Sequence, residues 1–177
     1  FIGTNNEYLT SGVGNLPSFL TTNSYSISTW VYPTAHFGGS LSYVVSTGFD
    51  FNYSIRMNTT NVFFNHRNTV GTLITCTKTG SFPLNNWYHI VAVYDSAAPE
   101  LRLYVNNDLS TTEPYIGTPE TLVGGNGFVL GAKNGANFWI TGLIDETAFW
   151  DNRALTKNDV TALFNYGNCL PYPFTGN

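Results

Sequence analysis

The sequence predicts an all-β protein: a two-layer antiparallel β-sandwich with one short C-terminal helix. Three observations predict it. Short apolar or alternating segments recur along the chain, separated by turn residues, which is the pattern of many short strands packed as two layers. Only 18 of the 177 residues are charged, so 21 Asn and 23 Thr supply much of the polar surface. Those two residue types favour turns and strands over helix interiors. A capped helical pattern is convincing at one place, near the C-terminus.

The elements follow in order. From Ser24 to Tyr32 the chain alternates, with Tyr25, Ile27, Thr29 and Val31 on one face and Ser24, Ser26, Ser28 and Trp30 on the other. Tyr43–Ser46, Phe51–Met57, Val62–His66 and Thr72–Thr77 read as further short strands. Trp87–Tyr94 is apolar on both faces, as a central strand between two packed layers must be. In the next segment Leu101, Leu103 and Val105 share a face, and Asn106-Asn107-Asp108 offers turn residues that tolerate positive φ. Phe128–Leu130 and Phe138–Ile140 are later strands. Thr156 caps the helix and Asp159 completes a capping-box pair, with Val160, Leu163 and Phe164 as the apolar face and Gly167 as the stop. The sandwich is assigned to residues 1–169. Residues 170–177 hold two prolines that forbid a helix, and they read as an extended tail. That tail is either a packed or frayed terminus, or a linker or segment donated to a neighbouring subunit.

Three stretches carry a family signature. They are Trp87-Tyr88-His89-Ile90-Val91-Ala92-Val93-Tyr94-Asp95, then Leu101-Arg102-Leu103-Tyr104-Val105-Asn106-Asn107, then Gly142-Leu143-Ile144-Asp145-Glu146 leading through Trp150 to Asn152-Arg153-Ala154-Leu155-Thr156. Together they resemble the laminin-G-like domains of the concanavalin A-like lectin/glucanase superfamily. The resemblance covers nearly the whole chain and implies a concanavalin A-like jelly roll with a short helix after the last core strands. It also implies that Trp30 and Trp87 are core positions and that His89 is a packing histidine. It names no ligand.

Composition excludes some classes of function. A net charge of −4 with seven scattered basic residues gives no footprint for nucleic acid. No apolar run approaches the ~20 residues needed to insert across a bilayer. The chain opens on Phe1 and is read as a mature or excised form. Cys76 and Cys169 are its two cysteines. An outward-looking composition favours a disulfide between them, closing a loop worth up to about 4 kcal/mol, and the alternative is two buried free thiols.

Four kinds of site are weighed. For hydrolysis, the paired carboxylates of a glycosidase are missing: Asp145 and Glu146 are adjacent, and on a regular strand they would point to opposite faces. For calcium, Phe1–Leu9 keeps the outline of the amino-terminal strand of calcium-binding relatives, but Ile2 replaces its acid. Asp145 with Asn5 or Asn6 would then supply oxygens, first and last strands being neighbours in such sandwiches. For glycan or protein recognition, 28 aromatics exceed what a core of this size requires. Trp139, Trp150, Tyr32, Tyr88 and Tyr115 are candidates, with Asn134 and Asn137 as amide donors before Trp139. For glycosylation, Asn52-Tyr53-Ser54 and Asn58-Thr59-Thr60 are the two sequons.

These readings leave three functions in order. First is a non-catalytic, lectin-like recognition module, extracellular or on a cell or virion surface, binding a glycan or a protein surface. Next is a structural subunit of a fibre, adhesin stalk or phage appendage, self-assembling through edge strands or the tail. Last is a glycoside hydrolase.

Overall fold

The computed structural model describes residues 2–3, 8–11, 23–47, 53–120, 127–133 and 137–168. Among these residues twelve strands form two six-stranded sheets, and every strand pairing is antiparallel. The strands are β1 (Ile2–Gly3), β2 (Leu9–Thr10), β3 (Tyr25–His36), β4 (Ser42–Thr47), β5 (Tyr53–Met57), β6 (Asn61–Arg67), β7 (Leu73–Thr79), β8 (Tyr88–Asp95), β9 (Glu100–Val105), β10 (Asp108–Pro114), β11 (Phe128–Leu130) and β12 (Ile140–Asp151). One sheet runs β1-β12-β3-β8-β9-β10 and the other β2-β11-β4-β5-β6-β7. The expected sandwich is therefore the observed one.

The core between the sheets is ring-rich. Tyr25 from β3 lies at its centre, with Tyr53 5.1 Å, His66 5.5 Å, Tyr94 5.7 Å and Phe149 5.8 Å away between ring centroids. Ile27, Ile55, Phe64, Ile90, Leu101 and Leu103 complete it. The aromatic surplus read from composition is thus absorbed largely by packing.

A second apolar cluster covers the outer face of the first sheet. The helix α1 (Lys157–Phe164) lays Val160 over Val91, Val93, Tyr104 and Leu155. This explains why β8 is buried on both faces. The capping box forms as expected: Thr156 Oγ1 accepts from the Asp159 amide, and Asp159 Oδ2 accepts from the Thr156 amide at 2.7 Å. Such a cap stabilises a helix by about 1 kcal/mol. The helix ends earlier than Gly167, because Asn165 takes the left-handed conformation at the C-cap (φ 43°).

Several expectations are corrected. Phe138 has φ +54° and is not in a strand; β12 starts at Ile140. The polar strand β10 was not expected. The Cys76–Cys169 pairing is not shown: Cys76 is a free, buried thiol in this structure, and its Sγ points at β10 and donates to the Thr111 carbonyl at 3.2 Å. Burial pushes that thiol up to about 11. Cys169 and the tail 170–177 lie outside the described residues.

The β7 and β10 edges face each other. Besides the Cys76 contact, Lys78 on β7 pairs with Asp108 on β10 at 2.5 Å. Strand addition from another copy on this side would first have to displace these contacts.

Candidate functional site

One face of β3 builds the site. Ser26, Ser28 and Trp30 leave the sandwich interior on the side of α1, so Trp30 stands outside the inter-sheet core yet is only 6% exposed. Trp30 stacks with His89 (4.9 Å, 29°) and with Phe164 of α1 (5.8 Å, 11°). Behind it, Ser28 Oγ and His89 Nε2 lie 2.8 Å apart in a hydrogen bond. Desolvation lowers the His89 pKa to about 4, so this imidazole is neutral at physiological pH.

The loop before β8 supplies the second wall. Phe82 is buried against Tyr88, and Tyr88 Oη donates to the Pro83 carbonyl at 2.7 Å. Asn85, at φ 62°, donates its amide to the Pro33 carbonyl. This pinned turn leaves Trp87 outside, 41% exposed, with its ring 6.5 Å from Trp30 and 5.5 Å from Tyr32. The resemblance had implied a core position for Trp87; the loop geometry makes it a surface ring instead.

The third wall is a β-bulge. Asp145 pairs with Trp30 and Ala148 with Ser28, so β12 carries one extra residue between these pairs. Glu146 absorbs it with φ +46°. Asp145 Oδ1 accepts from the Glu146 amide at 2.8 Å, and Thr147 Oγ1 meets Thr29 Oγ1 at 2.8 Å on the other side of the bulge. The strict alternation expected of Asp145 and Glu146 is broken here, and both residues line one pocket.

That pocket has a volume of about 240 Å³ and is lined by Trp30, Trp87, Asp145, Glu146, Gly167 and Asn168. Gly167 and Asn168 arrive from the turn after α1, where Gly167 has φ 86°. No Lys or Arg is among the described lining residues, and two carboxylates are. Trp30 Nε1–H, nearly buried, has no hydrogen-bond partner among the described residues.

The other expected residues fall elsewhere. Tyr32 is half-buried beside Trp87 and belongs to the site's margin. Tyr88 and Tyr115 are buried, and their hydroxyls donate to the Pro83 and Arg67 carbonyls, so neither offers a platform. Trp150 packs into the cluster under α1. Trp139 is half-buried against Phe37 (5.2 Å) at the far end of the β3–β12 pair; Asn137 is exposed nearby, and Asn134 lies outside the described residues.

Asp145 is exposed as a ligand should be, but Asn5 and Asn6 lie outside the described residues. β1 does lie beside β12, running from Ile2 opposite Leu143 to Gly3 opposite Gly142, which is away from Asp145. Among the described residues no group of three His, Cys, Asp or Glu could hold a metal ion. Asn58 sits past the end of β5, in a turn where its Oδ1 accepts from Thr60 and Asn61; Asn52 lies outside the described residues. No helix among the described residues is long and apolar enough to cross a membrane.

Sequence reasoning missed Trp30, Trp87, Glu146, Gly167 and Asn168 as site residues. The signals available were the Asn85-Asn86 turn before Trp87 and the adjacency of Asp145 and Glu146.

Comparison with known proteins matches residues 3–161 to the family described as the concanavalin A-like lectin/glucanases superfamily. The chain belongs to this superfamily. No curated protein matches it. Among solved structures, the native heptameric SAP-like pentraxin from Limulus polyphemus is 17% identical, with a TM-score of 0.67 over 92% of this chain and 79% of that chain. The binding domain of botulinum neurotoxin serotype G is 13% identical, with a TM-score of 0.73 over 94% of this chain and 42% of that one. A structure of botulinum neurotoxin type C, whose cell entry depends on interaction with two ganglioside molecules, is 15% identical, with a TM-score of 0.60 over 81% of this chain and 36% of that one. This chain therefore spans less than half of either toxin chain. At such identities the likeness establishes the fold, which is one that toxin binding domains use.

Proposed function

We propose that this protein is a non-catalytic, lectin-like recognition module of a secreted or surface protein, and that it binds a glycan in the Trp30–Trp87 pocket. One observation carries the reading: the half-exposed Trp87 indole, braced by Tyr32 and Trp30, stands over a pocket rimmed by carboxylates and an amide. An indole face accepts the apolar face of a sugar ring, and the rim groups accept its hydroxyl protons. The toxin binding domains of the same fold, one of them described with gangliosides, support the choice of a glycan.

Calcium has no part in this reading. That ion takes roughly six to eight oxygen ligands, and the described lining offers only Asp145, Glu146 and Asn168. Catalysis has none either. A glycosidase sets its two carboxylates on either side of the scissile bond, whereas these two are consecutive and Asp145 Oδ1 is held by the Glu146 amide.

The test is titration with a glycan panel, followed by tryptophan fluorescence and calorimetry. Binding by the native protein, lost in Trp87→Ala while thermal unfolding stays within about 1 kcal/mol of native, is the expected result. A blank panel, undiminished binding by Trp87→Ala, or release of reducing sugar would refute the proposal.

A further inference from the structure

We infer that the sugar this pocket selects carries a free, protonated amine, as an unacetylated 2-amino sugar does. The inference rests on the recognition reading above and adds the ligand's charge and its hydrogen-bonding pattern.

Three groups point to it. The first is Asp145, an exposed carboxylate oriented by the Glu146 amide at Oδ1, on a rim without a Lys or Arg side chain among its lining residues. An ammonium on this carboxylate would make a charge-assisted hydrogen bond, the strong kind, whereas a carboxylate rim repels an anionic ligand. The second is Trp87, whose exposed face adds attraction for a cation close to the ring. The third is Trp30, which lines the pocket and whose buried Nε1–H has no partner among the described residues. An indole N–H can only donate, so a ligand that reaches it brings an acceptor oxygen. A sugar hydroxyl or ring oxygen supplies it; a tetraalkylammonium ion does not.

Size narrows the ligand further. The pocket volume of about 240 Å³ lies just below the ~300 Å³ at which pockets for drug-sized ligands begin. A single terminal ring fits that description better than an extended oligosaccharide. The neutral His89 behind Trp30 adds no competing positive charge near neutral pH.

The experiment compares short oligomers of glucosamine with the matching N-acetylglucosamine oligomers by calorimetry near pH 6, with tetramethylammonium chloride as a third probe. The glucosamine oligomer should bind at least about tenfold tighter than its acetylated counterpart, as expected of one charge-assisted hydrogen bond. Asp145→Asn, which keeps an oxygen for the Glu146 amide, should erase that preference. Trp30→Phe, which keeps a ring against Phe164 and His89, should weaken both oligomers several-fold. Equal binding of the two oligomers, or a preference that survives Asp145→Asn, overturns the amine while leaving the pocket as a sugar site. Competition by tetramethylammonium as effective as that of glucosamine overturns the sugar. Binding of none of the three probes, while another sugar in the panel binds, sinks this inference alone; a wholly blank panel sinks the recognition reading with it.

Discussion

Replacing Gly142 by alanine should be among the most damaging small changes in this protein. Gly142 lies in β12 opposite Pro33 of β3, where the register slips by one residue. Its φ is +146°, and a Cβ built there would sit 2.0 Å from the Tyr32 carbonyl oxygen and 3.0 Å from Pro33 Cα. Both obstacles are backbone atoms, so no side chain can swing aside. A sparsely allowed φ costs about 1–3 kcal/mol, and overpacking of a tight contact about 1–3 kcal/mol more. Taking the middle of each range gives about 4 kcal/mol. For a chain of this length, each kcal/mol lowers Tm by roughly 2–4 °C, so the fall should be about 8–16 °C. Urea unfolding followed by circular dichroism reads the loss directly, with the m-value unchanged. Gly38→Ala is the control: Gly38 also has positive φ, but nothing lies within 4 Å of its would-be Cβ. It should cost about 1 kcal/mol from backbone strain alone. A loss below about 1 kcal/mol for Gly142→Ala, or equal losses for the two variants, would refute the steric argument.

Other outcomes follow from buried groups. Burial lowers His66 to about 3 and His89 to about 4, against 6.5 for an unfolded histidine. Between those values the unfolded chain binds the extra protons, so stability should fall as pH drops below 6.5, by about 3 kcal/mol for His89 alone. His89→Gln should flatten the slope between pH 6.5 and 4; a slope identical to native would contradict this. Cys76 should resist thiol reagents until the protein unfolds, and dithiothreitol should leave Tm unchanged; a reductant-sensitive Tm would restore the disulfide. Calcium at about 1 mM should move Tm by less than about 1 °C, because a site with so few carboxylates binds only weakly; a rise of several degrees would show that a fuller ligand set exists.

Much of the fold was legible because burial imposes periodicity. Tyr25, Ile27 and Val31 alternate with Ser26, Ser28 and Trp30, and the structure puts the first set inside. The capping box was legible because Thr156 and Asp159 act through local hydrogen bonds. β10 was not, because an edge strand of Ser, Thr and Glu has no apolar face to read. β12 was blurred by Gly142 and by the bulge at Glu146, where a glutamate adopts a left-handed conformation that its residue type does not announce. The site was largely hidden for the same reason. Trp30 and Trp87 are chemically identical, and the tertiary structure decides which one meets solvent: Phe164 and His89 cover Trp30, while the Pro83–Asn86 loop holds Trp87 outside. Asp145 and Glu146 converge only because one extra residue displaces the pleat.

The family match ends at residue 161, partway through α1. Phe164, which lies flat against Trp30, and the Gly167–Asn168 wall both come after that limit. A domain trimmed to the shared region would keep most of the sandwich and forfeit the backing of its cavity. Kinship in this superfamily therefore accounts for the scaffold, while part of the cavity wall comes from residues beyond the matched span.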